Sequence, residues 1–163
     1  MNKMLEKLVK QGFMTEEFGE HIEKAMEEKN SFIVSGHKGW GILPLLATLG
    51  ATAKGVGSLK QVKSEEDLDA DKDFLLIGDI KNVDYEDIVT KAYGKEGKAV
   101  IALKDPDHPY SINKVLKTVA KSGGDISKTY QVLECAKIDG ESKLPKITVM
   151  TVNEKGKISK EDI

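Results

Sequence analysis

Three short runs of uninterrupted apolar residues constrain this chain more than anything else in it. They are SFIVS (residues 31–35), DFLLIGDI (73–80) and KAVIAL (98–103). A strand with water on one face alternates apolar and polar side chains. A strand that does not alternate is buried on both faces, which is the condition of a parallel sheet covered on both sides. Helical patterns lie between the runs, and strands alternating with helices predict an α/β fold with a mainly parallel sheet.

The helices have legible ends. Met4, Leu5 and Leu8 share one face of a first helix, and Thr15 caps a second that carries Phe18, Ile22 and Met26 at spacings of four. A third, apolar helix runs from about Gly41 to Ala53. Asp84 caps a fourth that stops at Gly94, and Pro109 suits the first turn of a fifth that continues to Ser122. GVGSLKQV reads as a short strand and SEEDLDADKD as a charged, exposed turn. TYQVLECAKI and KITVMTV read as strands joined by the turn DGESKLP, an antiparallel hairpin closing the sheet. The 163 residues are expected to form one domain: a helical lead-in over 1–29, an α/β core over 30–152 and a polar tail over 153–163 that frays.

Composition removes several classes of function. A net charge of −2 gives no overall pull toward nucleic acid or an anionic membrane. No apolar run approaches the roughly 20 residues that cross a bilayer, and the first residues do not form a signal peptide, so the chain is expected to be cytoplasmic. The one cysteine, Cys135, falls in a strand pattern and reads as a buried structural thiol. All 25 basic residues are lysine. Without arginine the chain cannot supply a guanidinium clamp to phosphate, either to itself or to a second copy.

The chemistry-bearing candidate is the loop between the SFIVS strand and the third helix. Gly36-His37-Lys38-Gly39-Trp40-Gly41 satisfies GxxxxG, the glycine spacing of a phosphate-binding loop. A working loop continues with lysine and then serine or threonine. Here the next residues are Ile42 and Leu43, and Pro44 removes a further backbone N–H. Lys38 is the candidate substitute cation, and His37 a weaker one. Trp40, at the loop tip, is read as a partner contact or as a lid folded onto its own loop, ahead of a base-stacking platform.

With these motifs laid out, the chain from about Leu8 to Ile158 resembles the nucleotide-binding domain of the type II/type IV secretion ATPases, the traffic ATPases of secretion and pilus systems. SGHKGWGILPLL stands where that family carries its phosphate loop, and Gly78-Asp79-Ile80-Lys81 stands where it carries Gly-Glu-(Ile/Val)-Arg after a hydrophobic strand. Gly97 matches the glycine of its Thr-Gly-His, but Glu96 and Lys98 flank it, and the family's second histidine falls near Leu103. VLECAKIDGESKLPKITVMTVNEKGKI looks like its closing hairpin. The resemblance implies a three-layer RecA-like, P-loop NTPase-type fold with helices on both faces of a mainly parallel sheet. The scaffold positions are kept while the chemical positions change together.

Four functions compete on these residues. The first is a non-catalytic P-loop-like domain, a pseudo-ATPase with no cofactor, acting by contact with a protein partner: a second copy, a catalytic ATPase, or a component of a secretion or pilus-type assembly. The second is a nucleotide- or anion-binding protein with weak ATPase activity, Lys38 supplying the cation and Asp79 the acid. The third is another enzyme using the strand ends, where His37, Lys38, Asp79, Lys81, Asp105, Asp107 and His108 gather; no pair has metal-ligand spacing, and His108 in DPDHP is expected to be solvated. The fourth, nucleic-acid binding, has only the stripe Lys114, Lys117 and Lys121, which reads first as a solvated helix face.

Overall fold

A computed structural model describes residues 1–163. In chain order the elements are α1 (Lys3–Lys10), α2 (Glu16–Glu27), β1 (Ser31–Ser35), α3 (Ile42–Lys54), β2 (Leu59–Gln61), a 3-10 turn (Glu65–Asp69), β3 (Phe74–Ile77), α4 (Tyr85–Tyr93), β4 (Ala99–Lys104), α5 (Ile112–Lys121), β5 (Tyr130–Ile138), β6 (Glu141–Val152) and β7 (Ile158–Asp162). One sheet holds every strand in the order β2-β3-β4-β1-β5-β6-β7. The first five strands of that order pair in parallel, and β5, β6 and β7 pair antiparallel. This is the mainly parallel α/β sheet that the apolar runs predict, with the closing hairpin expected from the last strands and the three layers that the resemblance implies. The central runs are buried on both faces, with Phe32, Ile33, Val34, Val100, Ile101 and Ala102 all at 0% exposure.

The topology places the functional edge. α1, α2 and α3 pack together, and α3 lies across β1, β4 and β2. α4 and α5 form the other layer, packed on each other, on β4 and on the β6–β7 end. The chain therefore leaves β1 toward one layer and leaves the adjacent β4 toward the other. Between two such strands the connections diverge and open a crevice at their C-terminal ends, where open α/β sheets bind ligands.

Four local expectations are corrected. The 153–163 tail does not fray: Ile158–Asp162 adds a strand to the sheet edge, with Thr148 paired to Asp162 and Val152 to Ile158. Asn153 nucleates its turn, its side chain accepting from the N–H groups of Lys155 and Lys157 at 2.9 Å each. A polar composition suits an edge strand, which is solvated along one side. The β5–β6 turn is only Asp139-Gly140, with φ of 52° and 80°, the two left-handed residues of a type I′ hairpin. Pro145, read as part of that turn, lies inside β6, next to the register shift between Glu134 and Ala136 where a missing N–H is tolerated. Ser111, not Pro109, caps α5, its side chain accepting from Lys114 N–H at 3.3 Å. Met4 is 41% exposed while Leu5 and Leu8 are buried.

Candidate functional site

Two neighbouring structures occupy the C-terminal edge of the parallel strands. The first is the glycine loop. Gly36 N–H donates to the carbonyl of Lys104 at 3.2 Å, tying the loop's entry to β4. A side chain at Gly36 would stand 2.9 Å from Ile42 Cγ2 and 3.2 Å from Cys135 Cβ, so the backbone is packed down on both. Gly41 has φ of 86°, and a Cβ there would meet the Phe13 ring at 2.6 Å. Gly39 has φ of 85° with open space around it. The three glycines thus answer to three demands: close packing, close packing with a left-handed backbone, and a left-handed backbone alone.

The loop is held from outside by Ser142, whose hydroxyl donates to the Gly39 carbonyl at 2.9 Å, and internally by Trp40 N–H on the His37 carbonyl at 3.1 Å. The His37 and Trp40 rings lie 4.3 Å apart, tilted at 49°, and Trp40 is half-buried against the core. Lys38 is exposed. The N–H groups of His37, Lys38 and Gly39 donate to no protein acceptor. Ile42, in the place of the phosphate-binding lysine, is 1% exposed and is part of the core; Leu43, in the place of the hydroxyl, is 50% exposed.

The second structure is a polar line that the sequence does not announce. His108, expected to be solvated, is 6% exposed. Its Nδ1 lies 2.7 Å from Asp105 Oδ1, and its Nε2 lies 3.0 Å from Asp79 Oδ1. The same Asp105 oxygen accepts from the N–H groups of Asp107 at 3.0 Å and His108 at 2.9 Å. The DPDH turn is therefore wound around one carboxylate, a turn in which the first aspartate accepts from the backbone two and three residues on. Tyr85 backs the imidazole with its ring at 4.7 Å. The Tyr85 hydroxyl donates to the Ile77 carbonyl at 2.9 Å and accepts from Leu103 N–H at 3.0 Å, joining the ends of β3 and β4. Burial raises the Tyr85 phenol above its ordinary range, so it remains a neutral donor.

Asp79 itself follows Gly78 at the end of β3 and is 56% exposed; its other neighbour is the Lys81 ammonium at 3.9 Å. It caps no helix, since Asp84 does that for α4. Lys38, Asp79, Lys81, Asp105, Asp107 and His108 line one cavity of about 410 Å³. Of the seven candidates, only His37 falls outside it, on a larger hollow of about 940 Å³ beside Gly36, Lys104 and Cys135. Burial pushes the Cys135 thiol up to about 12, so it is a packed, protonated group as expected. No three His, Cys, Asp or Glu side chains are arranged to hold a metal ion, and no helix is long and apolar enough to cross a membrane.

With that geometry established, the chain can be set beside known proteins. No family model matches it, and no curated protein does. Among solved structures it is similar to the flagellar accessory protein FlaH from Methanocaldococcus jannaschii. The identity is 12%, the match covers 82% of this chain and 89% of that one, and the TM-score is 0.43. So distant a likeness assigns nothing to this chain.

Proposed function

We propose that this chain is a non-catalytic P-loop-like domain of RecA type that acts by binding protein. The observation that carries the reading is the burial of Ile42. Phosphoryl transfer is mostly positioning and electrostatic stabilisation, so the residue after the last loop glycine has to reach the phosphates. Here that residue points into the core beneath Gly36, and its neighbour Leu43 offers half of an apolar side chain to solvent beside Pro44. Asp79, the acid of the competing weak-ATPase reading, is already held by His108 and Lys81. An exposed leucine three residues after a half-buried tryptophan, on a braced loop, suits a docking surface better than a nucleotide cradle. The partner is a second copy, a catalytic ATPase or a component of a secretion- or pilus-type assembly.

Equilibrium dialysis against ATP with magnesium tests the non-catalytic part. At 1 mM ATP no retention is expected, which excludes binding stronger than about −4 kcal/mol. Micromolar retention that Lys38→Ala abolishes would overturn the reading and establish a rewired nucleotide loop. For the docking part, affinity capture with the wild type and with Leu43→Asp is compared. A partner retained by both equally removes the loop edge from the interface.

A further inference from the structure

The Asp79–His108 contact joins two loops across the 410 Å³ cavity, and the docking reading makes no use of it. Its two sides are built very differently. The imidazole and Asp105 are fixed: their side chains are 8% and 10% exposed, Nδ1 is committed to Asp105, and Tyr85 packs on the ring. An ionised carboxylate only accepts, so the two contacts together need a proton on each ring nitrogen, Nδ1–H donating to Asp105 and Nε2–H turned to the cavity and Asp79. Asp79 is more than half exposed, and its other ion-pair partner is Lys81, itself 82% exposed. A buried, fully partnered receptor thus faces an exposed occupant.

We propose that the cavity beside His108 is a carboxylate-binding site whose resident occupant is the chain's own Asp79. The remaining lining fits that assignment. Lys38 reaches the cavity from the glycine loop and has no carboxylate within ion-pair distance. Leu43 and Ile80 supply an apolar rim. Asp105 and Asp107 also border the space, opposite in charge to Lys38 and Lys81 on the same lining. The resident group is itself a singly charged, planar carboxylate, and the site uses His108 rather than a loop lysine as its central donor. A tethered competitor acts at an effective concentration of the order of millimolar. A guest must displace Asp79, so it needs contacts to Lys38 and the rim as well as to Nε2. Such a carboxylate comes either on an acidic side chain of a docked protein or as a free small acid. The assignment is independent of whether the chain hydrolyses nucleotide.

The test removes the occupant. Acetate and inorganic phosphate are titrated at about pH 6, where both are mainly singly charged and differ chiefly in shape, into the wild type, Asp79→Ala and Asp79→Ala/His108→Gln, with ¹⁵N resonances as the readout. Asp79→Ala is expected to bind acetate at least tenfold more tightly than the wild type, with the His108 Nε2 resonance moving at saturation. The double variant is expected to lose that gain. An unchanged acetate affinity in Asp79→Ala overturns the proposal, as does a gain that survives His108→Gln. Phosphate binding more tightly than acetate overturns the carboxylate assignment. Should His108→Gln fail to fold, the ring resonance in Asp79→Ala decides alone: no movement at Nε2 with acetate present in excess is a negative result. A blocked Leu-Asp-Leu peptide on the wild type separates the sources. Binding tenfold tighter than acetate supports a protein side chain as guest, and equal binding supports a free acid.

Discussion

The two halves of the sheet edge are opposites. The glycine loop has the spacing of a working site in its sequence, yet its chemical positions are filled by Ile42 and Leu43, one in the core and one in solvent. The Asp79–His108–Asp105 line has no spacing motif that joins its members, yet its two contacts are 2.7 and 3.0 Å long and a buried tyrosine backs them. Glycine spacing reports backbone shape and does not by itself report chemistry. Side chains brought together from three separate segments leave no periodic trace. The loop is therefore read here as a scaffold part and the histidine line as the built polar site.

If the loop is a scaffold part, restoring its chemistry should damage the protein. Ile42→Lys puts an ammonium at a position 1% exposed, and a buried charge that does not reach the Asp79, Asp105 and Asp107 carboxylates of the adjoining cavity costs about 3–5 kcal/mol. The variant is expected to shift the urea midpoint sharply downward and to gain no ATP binding. A stable Ile42→Lys that binds nucleotide would show that the cradle was only one substitution from working, and the contrast drawn between the two halves would fail.

Within the loop the glycines can be ranked. Gly41→Ala adds left-handed strain to a 2.6 Å encounter with Phe13, and the two together should cost about 2–4 kcal/mol. Gly39→Ala meets the same strain in open space and should cost about 1 kcal/mol. Equal losses in chemical denaturation would mean that packing against Phe13, in the α1–α2 connection, is not what fixes the loop.

How much of this was legible follows from the same distinction. The apolar runs around Ile33, Leu75 and Ile101 specify a sheet buried on both faces, because burial is a local demand on each residue. The caps at Thr15 and Asp84 are equally local, each accepting from the N–H three residues on. The tail was misread because an edge strand needs few apolar residues; Ile158 alone anchors β7 against the core. His108 was misread because its burial depends on Tyr85 and Asp79, 23 and 29 residues away by number. The one local clue was the DPDH turn, whose first aspartate could be expected to collect the following N–H groups. Nothing in the turn told that Asp105 would also take the imidazole.

On the side of the histidine line, tyrosine hydroxyls separate structural from idle polar groups. Tyr85→Phe strands the Ile77 carbonyl and the Leu103 N–H in a buried place and should cost about 1–3 kcal/mol. Tyr130 is as deeply buried, but its hydroxyl has no partner, so Tyr130→Phe should be neutral or slightly stabilising. Thermal melts of the two variants compare them directly. A costly Tyr130→Phe would point to a buried water satisfying that hydroxyl.

The smallest effect concerns Cys135, which underlies Gly36. Its thiol stays protonated to about 12 in the folded chain against an ordinary value near 9. Below pH 9 the thiol is neutral in both states and contributes no pH dependence. Above it the unfolded thiol loses its proton while the folded one keeps it, so the unfolded chain binds fewer protons and stability falls as pH rises. The slope is at most about 1.4 kcal/mol per pH unit, approached between pH 10 and 11. Lysines and tyrosines titrate in the same range, so the quantity to measure is the difference between the wild type and Cys135→Ala in urea midpoint at pH 8 and pH 10.5. That difference should move in favour of Cys135→Ala at the higher pH. If it stays constant, water reaches the thiol, and the floor beneath the glycine loop is more open than the packing of Gly36 on Cys135 requires.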